Sequence, residues 1–99
     1  MTPRLVVREP GRYRLEGAVE FATPLPPELW SPDIAPANGC ATIELGDLER
    51  ADSVALALLV EWERRAREAG YRLVIAEAPE RLQALIRVTG LEALLVEGT

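Results

Sequence analysis

Ninety-nine residues, 48% of them hydrophobic, are enough for one domain with a single modest core and argue against disorder. A formal charge of −5 and a pI near 4.7 argue against nucleic acid as a partner, because phosphate binding needs a basic face. The absence of histidine removes His-based triads and HExxH metal sites, and the lone Cys40 removes an intrachain disulfide and a thiolate metal cluster. The longest apolar run, residues 54–60, is about a third of the roughly 20 residues of a membrane span. The N-terminal MTPRLVVREPG lacks the apolar core of a signal peptide, so a cytoplasmic protein is the expectation.

Residues 4–8 (RLVVR) and 12–16 (RYRLE) flank Glu9-Pro10-Gly11, a turn signal, and predict an N-terminal β-hairpin. Leu5, Val7, Tyr13 and Leu15 are its candidate core positions, and residues 17–20 extend or bend the second strand. Between Phe21 and Asn38, five prolines leave room for a short helix over residues 27–31, with Pro27 at its first position. Asn38-Gly39 is a turn before the next strand.

The stretch CATIELGDLERADSVALALLVEWERRAREAG, residues 40–70, predicts an apolar strand, a turn at Gly46-Asp47, and a long amphipathic helix. The helix begins at Asp52 or Ser53, both good N-caps. Ala55, Leu58, Leu59, Trp62, Ala66 and Ala69 follow helical periodicity, and Gly70 supplies the stop. RLVIA, residues 72–76, reads as a strand buried on both faces. A second helix starts at Pro79, lines Leu82, Leu85, Ile86 and Thr89 along one face, and stops at Gly90. Leu91, Leu94, Leu95 and Val96 form a closing element that is either helix or strand. Strands alternating with helices imply parallel pairing, and the whole is a small mixed-sheet α/β sandwich over residues 1–99.

These residues resemble a family. The order of elements resembles the STAS domain, the fold of anti-sigma factor antagonists and of the MlaB-type subunit of the Mla phospholipid transporter. The resemblance rests on the early LEG, on IELGDLERADSVALALL and on RLVIAEAPERLQALIRVTGLEALL. The family's Asp, Ser or Thr, variable residue, Gly, Leu motif reads here Asp52, Ser53, Val54, Ala55, Leu56. Ala55 stands where glycine is usual, and Val54 stands where some antagonists carry a second hydroxyl. A single hydroxyl directly after the aspartate, and Trp30 in PPELW, look like the MlaB-type branch.

The resemblance implies a non-catalytic subunit that binds the cytoplasmic ATPase of an ABC-type phospholipid transporter, in intermembrane phospholipid trafficking and outer-membrane lipid asymmetry. Its contact surface would be Trp30, Asp52, Ser53, Val54 and Ala55, with membrane association only through the partner. The rival is an anti-sigma factor antagonist whose binding to an anti-sigma factor kinase is switched off by phosphorylation of Ser53. Neither needs a cofactor or metal, and an enzyme would need a base and a pocket that the sequence does not offer.

Read from the residues alone, Ser53 is a helix N-cap ahead of a modifiable hydroxyl; the resemblance brings the two readings level, and Asp52 caps the helix or holds the turn. Trp30, beside Glu28 and Asp33 in a proline-rich connection, reads as an interface anchor ahead of a core residue. Trp62, on the apolar stripe, reads as core. Cys40 reads as a small buried hydrophobe, and the acids Asp47, Glu49 and Asp52 as a solvated turn.

Overall fold

The computed structural model describes residues 2–22 and 24–90. The closing element expected around Leu91, Leu94, Leu95 and Val96 lies outside them. The hairpin forms as β1 (Arg4–Glu9) and β2 (Arg12–Val19), antiparallel with Leu5 opposite Leu15 and Val7 opposite Tyr13. Gly11 takes the turn at φ 76, where a side chain would be strained. Its Cα also faces Ala37 so closely that an added Cβ would lie 2.6 Å from the alanine methyl.

Tyr13 and Leu15 enter the core as expected, Leu5 is half-buried, and Val7 is not a core residue: it is 65% exposed. β1 is an edge strand, and its register slips between Val7 and Glu9, so Val7 stands uncovered beside the bulge.

The chain then makes the one-turn helix α1 (Pro27–Trp30), β3 (Cys40–Glu44), β4 (Leu48–Ala51), α2 (Ser53–Ala69), β5 (Arg72–Ala76) and α3 (Glu80–Val88). The sheet runs β1-β2-β3-β5, with β2, β3 and β5 mutually parallel. β4 was not expected. It pairs parallel with the far half of β2, Gly17 opposite Leu48 and Val19 opposite Ala51, and so prolongs the β3 ladder beyond the break at residues 45–47.

The helices cover one face of the sheet, where Leu15, Ile43, Leu45, Ile75, Leu58, Leu59, Trp62, Leu82 and Ile86 close the core. Each fully buried aliphatic side chain there contributes about 1.5–3 kcal/mol. The other face is open and carries arginine–carboxylate pairs: Arg4 with Glu16, Arg14 with Glu16 and Asp47, Arg8 and Arg12 with Glu44. Glu44 is almost fully buried under them, and its hydrogen bond is the first reason that the Arg12 pKa is raised.

β5 is therefore not buried on both faces. Leu73 and Ile75 point inward, while Val74 lies on the open face beside Thr42 and is half-buried. Cys40 is likewise half-buried, and Ala69 is exposed at the end of the α2 stripe.

Candidate functional site at the head of the long helix

The end of β4 delivers Asp52 to the start of α2. The Asp52 N–H donates to Val19 O at 3.3 Å, which keeps the residue extended at φ −134 and makes it, rather than Ser53, the N-cap. Its Oδ1 accepts from the Val54 N–H at 2.8 Å, one of the unsatisfied donors of the first turn. Its Oδ2 accepts from the Phe21 N–H at 2.9 Å. One carboxylate thus fastens the loop after β2 to the head of the helix.

Ser53 occupies the first helical position, exposed, and its hydroxyl makes no hydrogen bond among the described residues. Val54 is half-buried. Ala55 is 2% exposed and packs into the core. Its methyl therefore fills space within the domain, and the residue that replaces the usual glycine is not on the outer surface.

The outer face of α2 changes character along its length. Ser53, Ala57, Val60 and Arg64 recur at helical spacing, and the first three carry no charge. Val60 is 43% exposed and Leu56 beside it is half-buried. Beyond Val60 a lattice takes over: Arg64 bridges Glu61 and Glu68, Arg65 binds Glu61, and Arg67 binds Glu63. The hydrogen bond from Arg64, then that from Arg65, lowers the Glu61 pKa to about 2. The first half of the face is bare and the second half is self-satisfied.

Trp30 does not join this cluster. The Trp62 indole N–H donates to Leu29 O at 2.9 Å, and Arg65 donates to Ser31 Oγ at 2.7 Å, so α1 lies against residues 62–65 of α2. That is about 14–18 Å along the helix axis from Ser53. Trp30 itself is half-buried and packed against the core. A groove of about 820 Å³ beside α1, lined by Pro3, Leu5, Pro26, Leu29, Pro32 and Asp33 among others, includes neither Trp30 nor any of residues 52–55.

Sequence reasoning passed over Phe21, which is 89% exposed at this site. Phe21 is, like Trp30, an aromatic in the proline-rich connection, and that was the available signal.

A mixed five-stranded sheet with helices on one face, and an Asp-capped serine at the head of the helix after β4, define a STAS domain. The family model described as the MlaB STAS domain matches residues 8–97, and the chain belongs to that family. No curated protein matches it.

Proposed function

We propose that this chain is a non-catalytic regulatory subunit that docks, through the head of α2, on the cytoplasmic ATPase of an ABC-type phospholipid transporter. The observation that carries the reading is Ser53, exposed and without a hydrogen bond among the described residues, at the first helical position of an MlaB-type STAS domain and the bare end of α2. The surface comprises Ser53, the exposed edge of Val54, Ala57 and Val60, with Asp52 holding its shape. Ala55 sets the packing of the helix on the sheet, and Trp30 offers a second contact about three turns away.

The chain does no covalent chemistry on this reading. It acts by binding one conformation of the ATPase better than another, which is the only way that docking shifts an equilibrium. No described helix is long and apolar enough to cross a membrane, and the protein would be cytoplasmic and reach the inner membrane through its partner.

The exposed Ser53 hydroxyl also favours a second reading, an anti-sigma factor antagonist phosphorylated there by its partner kinase. A phosphate would add roughly two negative charges at a helix N-terminus, which the helix dipole tolerates. It would disturb docking more than folding.

The test is calorimetric titration of the chain with the purified ATPase subunit of its host's phospholipid transporter. Wild type is expected to bind, and Ala57→Arg to lose at least tenfold in affinity with an unchanged circular dichroism spectrum. No binding by the wild type, together with stoichiometric phosphorylation of Ser53 by a host anti-sigma kinase, would install the second reading.

A further inference from the structure

The large apolar side chains exposed among the described residues are Val7, Phe21, Val60 and Val88. Val7 stands beside the edge-strand bulge, Val60 belongs to the outer face of α2, and Val88 closes the last turn of α3. Phe21 is the aromatic among them and lies in the turn after β2. A phenylalanine left in water forgoes the burial that is its main contribution, and turns favour Gly, Pro, Asn, Asp and Ser instead.

Nor does Phe21 hang on a loose loop. Its N–H is bound at 2.9 Å by the carboxylate that caps α2, so its backbone is pinned to the same atom cluster as Ser53 and Val54. With its backbone N–H bonded, the ring has mainly its own two side-chain torsions left to order on binding, which favours it as an interface anchor.

The surroundings give the partner's charge. Glu20 precedes Phe21 on the chain, and Glu49 and Asp52 flank the junction of β4 with α2, against one guanidinium, Arg50, which binds Glu20 at 2.9 Å. Glu49 is exposed on β4 and has no ion pair among the described residues. A basic partner surface is attracted here and an acidic one repelled.

We infer that Phe21 is the anchor of the docking surface, that Asp52 is its positioning residue, and that the ATPase receives the ring in an apolar pocket rimmed by arginine or lysine. The inference rests on the docking reading above and deepens it.

The same titration, at two salt concentrations, tests it with three variants. Phe21→Ala, at an exposed position, is expected to fold normally and to weaken binding at least about 30-fold, equivalent to ~2 kcal/mol. Glu49→Arg is expected to weaken binding, most at low salt.

Asp52→Asn keeps an oxygen for the Val54 N–H but turns a donor toward the Phe21 N–H. It is expected to weaken binding, and to add nothing further in the double variant with Phe21→Ala, a coupling that simple loss of stability does not produce. If the wild type binds and Phe21→Ala binds as tightly, this inference is overturned while the docking reading stands. If the wild type does not bind, the docking reading fails and takes the inference with it.

Discussion

The Asp52 carboxylate accepts N–H groups from two distant parts of the chain, and the neighbouring Ser53 hydroxyl from none among the described residues. Stability and the proposed docking role therefore separate between adjacent residues. Asp52→Ala removes the cap together with the acceptor of the Phe21 N–H, at about 1–2 kcal/mol. Ser53→Ala, at a position that is not the cap, should change stability by less than about 0.5 kcal/mol. Urea unfolding of the two variants measures both, and equal losses would place the cap at Ser53 after all. In the sequence the choice between the two was open, because both are good cap residues. It is settled by the Asp52 N–H to Val19 O bond, a contact with β2 that no local pattern encodes.

At the scale of elements, α2 was readable in detail: its apolar stripe and the stop at Gly70, which takes φ 83. β4 was hidden because Leu-Glu-Arg-Ala has no β-branched residue and no alternation, and forms a strand only by prolonging an existing ladder. β5 misled in the opposite sense, since an unbroken apolar run does not tell whether both faces are covered.

Two predictions belong to α2. Trp62→Phe leaves the buried Leu29 carbonyl without its donor and should cost about 2 kcal/mol, with faster amide exchange at Leu29 as α1 loosens; unchanged exchange would mean that α1 is held by other contacts. The second concerns Glu61, whose pKa falls from 4.5 to about 2 beside Arg64 and Arg65. A lowered carboxyl pKa contributes stability above pH 4.5 that is lost as pH falls toward 2. The melting-temperature advantage of wild type over Glu61→Gln should be present at pH 7, small because the pair is solvent-screened, and vanish by about pH 2.

Over the whole molecule, parallel pairing of β2, β3 and β5 gives the sheet one covered face and one open face of paired charges. The α/β class and the family were legible because periodicity and turn residues agree along most of the chain. The proposed docking surface was legible only in part. Trp30 and Ser53 were both marked by residue type, but their separation of about three helical turns depends on Trp62 and Arg65 binding α1 where they do. The open face and the helix head are thus alternative surfaces of one domain, and the docking reading commits to the second.

Hydrogen-exchange mass spectrometry of the chain with and without the transporter ATPase tests that commitment most directly. The account predicts protection at residues 20–22 and 52–60, with none in the β1–β2 hairpin below its open face. Protection confined to residues 4–16 and 40–44, with the helix head exchanging as in the free protein, would contradict it.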